Sequence, residues 1–107
     1  MFPKDEDGQV LQMLYKSGVD FTKPHEVDFY ITVPNQTDGH DFLKVLKKEG
    51  LECFLDYDEE TNDWTCCCFK KMYLRYEDII NIQTKINELG KPYNAYVDGW
   101  GTSADEL

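Results

Sequence analysis

Long apolar runs are missing from this sequence, and with them any segment of the ~20 residues that a membrane-spanning helix needs. The opening Met1-Phe2-Pro3-Lys4-Asp5-Glu6-Asp7 lacks the basic and apolar regions of a signal peptide, so a cytoplasmic location is expected. Basic residues are scarce: 11 Lys and Arg stand against 21 Asp and Glu, a formal net charge of -10. Such a charge repels phosphate backbones and anionic membranes, which argues against nucleic acid or membrane as a direct partner. It speeds encounters with a basic protein instead. No glycine-rich phosphate loop occurs, because Gly39 and Gly50 are isolated and Gly99 and Gly101 precede no helix. His25 and His40 have no Ser or Cys nucleophile pattern near them and read as surface residues. The cysteines, Cys53, Cys66, Cys67 and Cys68, lack the spacing of a secreted disulfide framework and read as reduced thiols.

What is present suffices for one core. A chain of 107 residues, 41% hydrophobic and 14% aromatic, is expected to form a single domain over residues 1–107. Val10, Leu11, Leu14 and Tyr15 fall at helical spacing over residues 9–17, with Gly18 where a C-terminal cap belongs. Val27, Phe29, Ile31 and Val33 alternate with polar residues over 26–34, the period of a half-buried strand. A second helix, capped by Thr37 or Asp38, carries Phe42, Val45 and Leu46 and ends near Gly50. Strands over 51–58 and 64–74 flank the acidic turn Glu59-Glu60-Thr61-Asn62 as a hairpin. Ile79, Ile82, Ile86 and Leu89 stripe a third helix that lacks a favoured cap and is stopped by Gly90 and Pro92. A short strand over 95–100 precedes a polar tail, 101–107, expected to fray.

This order predicts an α+β fold: a ferredoxin-like split βαβ sandwich (βαββαβ) with a four-stranded antiparallel sheet, helices on one face and an extra N-terminal helix. The architecture hosts many unrelated functions, so function has to come from particular residues.

In a strand, Cys66 and Cys68 point one way and Cys67 the other, and neither histidine has ligand spacing to them, so a core role is expected and a metal site is not. Asp56, Asp58, Glu59, Glu60 and Asp63 crowd the hairpin without the order of a calcium loop; they read as solvated charge or as a docking patch for a basic partner. No catalytic residue, cofactor or metal is expected. Tyr30, Tyr96 and one aromatic set of the hairpin project from the sheet, but Asp28, Asp56 and Asp98 nearby favour protein contact over RNA stacking. The alternative is that these tyrosines cover the first helix. Trp100, between Gly99 and Gly101, reads equally as a packed strand end or as an anchor in a partner's pocket.

The segment Tyr96-Val97-Asp98-Gly99-Trp100-Gly101-Thr102 resembles the Tyr-Asp-Gly-Trp-Gly-Thr signature of the regulator of ribonuclease E activity B family. Asp7-Gly8 leading into a helix, then Gly18-Val19-Asp20 before an aromatic-rich strand, is similar to that family's opening. The resemblance implies a ferredoxin-like fold with an added helix. It also implies a non-enzymatic inhibitor that binds the arginine-rich scaffold region of ribonuclease E and modulates RNA decay without touching RNA. Asp56, Asp58, Glu59, Glu60, Asp63, Asp98 and Trp100 are the expected partner-binding residues. A ferredoxin-like small-molecule sensor is the alternative, and homodimer formation through the open sheet face or an edge strand is compatible with either.

Overall fold

The computed structural model describes residues 2–102. Its organising strand is β1 (His25–Val33), whose alternation places Val27, Phe29, Ile31 and Val33 on one buried face and Glu26, Asp28, Tyr30 and Thr32 on the other. β2 (Glu52–Asp58) and β3 (Asp63–Met72) form an antiparallel hairpin, and β4 (Tyr96–Thr102) is the last strand. β1 lies between β3 and β4, antiparallel to both, giving the order β2-β3-β1-β4. With helices α1 (Glu6–Lys16), α2 (Gln36–Lys48) and α3 (Tyr76–Gly90), the chain is a ferredoxin-like βαββαβ sandwich preceded by a helix.

Local chemistry explains the helix ends. Asp5 caps α1, its carboxylate accepting from the Gly8 amide at 2.8 Å. The cap of α2 is Asn35, not Thr37 or Asp38: Asn35 Oδ1 accepts from the Asp38 amide at 2.8 Å, and its Nδ2 donates back to the Asp38 carboxylate at 3.0 Å. This reciprocal pair starts the helix earlier than its apolar stripe does. α1 and α2 both end with a left-handed glycine, Gly18 and Gly50, whose amides and those of Val19 and Leu51 return to the last helical carbonyls. No side chain caps α3, as its sequence predicts; Glu77 and Asp78 in its first turn complement the helix dipole instead.

The core fills the space between sheet and helices, with Phe29, Phe42, Leu46, Ile79 and Ile86 essentially free of solvent. Gly39 brings α2 close to the sheet, since a Cβ there would lie 2.7 Å from a Leu55 methyl. α1 joins this same side, burying Leu11 and packing against α3. Tyr30 and Tyr96 therefore do not cover α1, and they stand 42% and 53% exposed. β4 also runs further than its pattern suggests: Gly101 and Thr102, expected in a fraying tail, pair with Asp28 and Val27. The remainder of that tail, residues 103–107, lies outside the described residues.

Candidate functional site

The β2–β3 hairpin carries an aromatic pair on each face. Tyr57 and Trp64 are direct cross-strand neighbours on the helix side, with ring centroids 4.6 Å apart. Phe54 and Phe69 stack on the opposite side at 5.5 Å and an interplanar angle of 29°. The turn itself is held by short polar links. Asp58 Oδ1 accepts from the Glu60 amide at 2.9 Å, its carbonyl accepts from the Asn62 amide at 2.8 Å, and the Tyr57 hydroxyl donates to Asn62 Oδ1 at 2.6 Å. Asn62 sits at a φ of 59°, a left-handed angle that asparagine tolerates better than most residues.

On this frame Asp56, Asp58, Glu59, Glu60 and Asp63 are all exposed. Among the described residues the ion pairs are Arg75–Asp78 at 4.0 Å and Lys85–Glu49 at 2.6 Å, and neither involves the hairpin acids. The fold thus gathers five carboxylates at one end of the sheet without internal cations to balance them.

Asp98 and Trp100 stand apart from that group. Asp98 is the extra residue of a bulge in β4, between Val97 opposite Ile31 and Gly99 opposite Tyr30. Since β2 and β4 are opposite edges, Asp98 is three strand spacings, roughly 14 Å, from β2. Trp100 lies opposite Phe29 on the helix side, partly buried, and its indole Nε1 donates to Asp7 Oδ1 at 2.7 Å. Gln83 Nε2 donates to the same oxygen at 3.2 Å. Next to Asp7, Gly8 is closely covered: a Cβ there would fall 1.9 Å from the Pro3 carbonyl oxygen. The Asp7-Gly8 opening and the Gly99-Trp100-Gly101 ending, far apart in sequence, therefore meet in one clamp.

The open face of the sheet holds further residues. By register, Tyr30, Cys67 and Phe54 form one row across β1, β3 and β2, and Asp28 pairs with Phe69 in the next. Asp28 Oδ1 is buried and has no hydrogen-bond partner among the described residues, and burial pushes its carboxyl pKa up. Burial, then Asp28 and Cys67, raises the Tyr30 hydroxyl. Asp28 was legible as an outward residue from the β1 alternation, but its missing partner was not.

The thiols behave as core. Cys66 and Cys68 face the helices opposite Ile31 and Phe29, and burial pushes both pKa values up to about 12, so they stay protonated and poorly nucleophilic at neutral pH. Cys66 donates to the Gly39 carbonyl at 3.6 Å and Cys53 to that of Leu43 at 3.7 Å, stitching the sheet to α2. Among the described residues, no three His, Cys, Asp or Glu side chains are grouped to hold a metal. His25 corrects its surface reading. It is 6% exposed at the head of β1, with Nε2 bonded to the Asp20 carbonyl at 2.7 Å, because alternation turns it toward the core. His40 is exposed.

A cleft of about 420 Å³ opens beside α3 at the end of β3, lined by Lys70, Met72, Tyr73, Ile82 and Lys85 among others. None of the described helices is long and apolar enough to cross a membrane. No match was found among curated proteins. A family model described as Regulator of ribonuclease activity B matches residues 4–102, spanning both halves of the Asp7–Trp100 clamp.

Proposed function

We infer a mode of action from one premise: the chain belongs to the regulator of ribonuclease activity B family. Within that family, we assign this chain the role of a non-enzymatic, acidic protein that binds the arginine-rich scaffold region of ribonuclease E and thereby modulates RNA decay. It acts in the cytoplasm, where it alters the company the nuclease keeps and not the chemistry of its active site.

The observation that carries this reading is the hairpin, where Asp56, Asp58, Glu59, Glu60 and Asp63 are exposed, unpaired by internal cations and borne on a hydrogen-bonded turn. An arginine-rich segment approaching such a surface is steered by the field of the net charge and then held by charge-assisted hydrogen bonds. Asp98 adds a separate exposed carboxylate on the opposite edge of the sheet. Trp100 contributes by fixing the end of β4 to α1, which leaves its indole N–H unavailable to a partner.

Calorimetric titration with the scaffold region at low and physiological salt tests this. Micromolar or tighter binding that weakens with salt is expected, with a loss of about tenfold (~1.4 kcal/mol) or more when Asp56, Asp58, Glu59 and Glu60 are neutralised together. Absence of binding at both salts would sink the reading. The cleft beside α3 favours a second one, a small-molecule sensor, since its volume of about 420 Å³ suits a modest ligand. A rise in melting temperature with a metabolite set, lost in Ile82→Glu, would support that alternative.

A further inference from the structure

The geometry points to the open face of the sheet as an arginine-receiving surface, where guanidinium groups of a partner protein lie against Tyr30, Phe54 and Phe69 and donate to Asp28. This deepens the regulator reading and rests on it for the nature of the partner.

The face is unpartnered in the fold, because all three described helices pack on the other side. It is also chemically mixed in a particular way. Tyr30 and Phe54 are 42% and 48% exposed, and the stacked Phe54–Phe69 pair offers a flat ring surface to solvent. Between Tyr30 and Phe54 sits Cys67, so the two rings rise two strand spacings apart, roughly 10 Å, across a short side chain. A planar cation fits beside such rings.

Charge selects the occupant. The strand register places Glu26, Asp28, Glu52 and Asp56 on this face, and Lys71, opposite Glu26, is the basic residue among them. A second copy of the chain would bring the same acids against these, and RNA would bring phosphates, so both are repelled. A cationic protein segment is attracted. Asp28 then separates arginine from lysine: one of its carboxylate oxygens is shielded and lacks a donor among the described residues, and a guanidinium supplies two donors in one plane while still stacking on an aromatic ring. An ammonium group is compact, strongly hydrated and does not stack.

The test titrates the full, isotopically labelled chain with an oligo-arginine peptide and with its lysine counterpart, following amide shifts and binding heat. Shifts centred on Asp28, Tyr30, Phe54 and Cys67 are expected, with the arginine peptide bound about tenfold more tightly than the lysine one. Asp28→Asn and the pair Tyr30→Leu with Phe54→Leu are each expected to lose about tenfold in affinity, their spectra otherwise remaining those of the folded chain. Shifts confined to residues 58–63, or equal affinity for the two peptides, would overturn the proposal. So would a sedimenting dimer that excludes the peptide and dissociates in Tyr30→Leu, because the face would then belong to a second copy. The two readings fail separately. A chain that binds oligo-arginine on this face but not the scaffold region of ribonuclease E loses only the regulator reading. Scaffold binding unaffected by the Asp28 and Tyr30 variants loses only this one.

Discussion

The two faces of the sheet are built from the same four strands, yet they treat their polar and aromatic groups in opposite ways. On the helix side Trp100 finds Asp7, Cys66 finds the Gly39 carbonyl, and His25 finds the Asp20 carbonyl. On the open side Asp28 keeps an oxygen without a partner among the described residues, and Tyr30 and Phe54 are about half exposed. The difference teaches that aromatic content alone says little; what counts is whether the chain itself completes each group. One face is completed by folding, and on the other these groups stay open.

The sharpest way to break this comparison is to remove one ring from each face. Phe29→Ala, at a fully buried position, is expected to cost ~3–5 kcal/mol in chemical denaturation, whereas Phe54→Ala is expected to cost only ~0.5–1 kcal/mol, mostly its stacking on Phe69. Comparable losses would mean that the open face is part of the stabilising core. Next comes Gly8→Ala, which forces the Pro3 backbone away from α1 and is expected to lower stability by ~1–3 kcal/mol. A neutral result would show that the segment before α1 is not held. Trp100→Phe keeps an aromatic ring but removes the indole donor and part of its packing, and a loss of ~1 kcal/mol or more in chemical denaturation is expected as Asp7 is left with Gln83.

The smallest effects concern pH, and they carry opposite signs on the two sides. Burial raises the pKa of Asp28 above the ordinary 3.8, so the folded state holds that proton more tightly than the unfolded one. Its contribution to stability is present below the ordinary value and is lost as pH rises through the raised one. Asp28→Asn is therefore expected to be more stable than wild type at neutral pH, with the advantage shrinking in acid. Asp5 behaves conversely: the Tyr76 hydroxyl, then the Gly8 amide, lower its pKa below 3.8, so its contribution is present above the ordinary value and lost as pH falls through the lowered one. Asp5→Asn is expected to be less stable at neutral pH, the deficit closing in acid. Melting curves from pH 7 down to pH 3 on both variants check the pair. Stabilisation by Asp28→Asn together with weakened arginine binding would make Asp28 a residue kept at the fold's expense.

Much of this was readable from local pattern. The alternation along β1 separates its two faces residue by residue, and the stripe Ile79, Ile82, Ile86 and Leu89 announces α3. The hairpin acids were visible because a turn keeps sequence neighbours together in space. What escaped depends on partners distant in the chain or on one residue of phase. The clamp between Asp7 and Trp100 joins residues 93 positions apart, which no window of sequence reveals. Asp98 shares its expected role with the hairpin acids, but strand order puts it on the opposite edge. His25 reads from sequence as a surface residue, though it already obeys the strand's alternation and turns inward. Asn35, the cap of α2, lies farther from that helix's apolar stripe than Thr37 and Asp38, so the stripe alone points to the wrong residue.

The central place of β1 has a consequence for synthesis. This strand is made before both of its neighbours in the sheet, β3 and then β4. Until Tyr96–Thr102 is made, one side of β1 presents unpaired amides and carbonyls beside an incomplete core, an invitation to pair with other chains. The closing strand that seals this edge also carries Trp100 to Asp7, so the same few residues end the exposure and fasten the first helix. A nascent chain stalled before them keeps that edge open to other strands, and one that has made them has it paired.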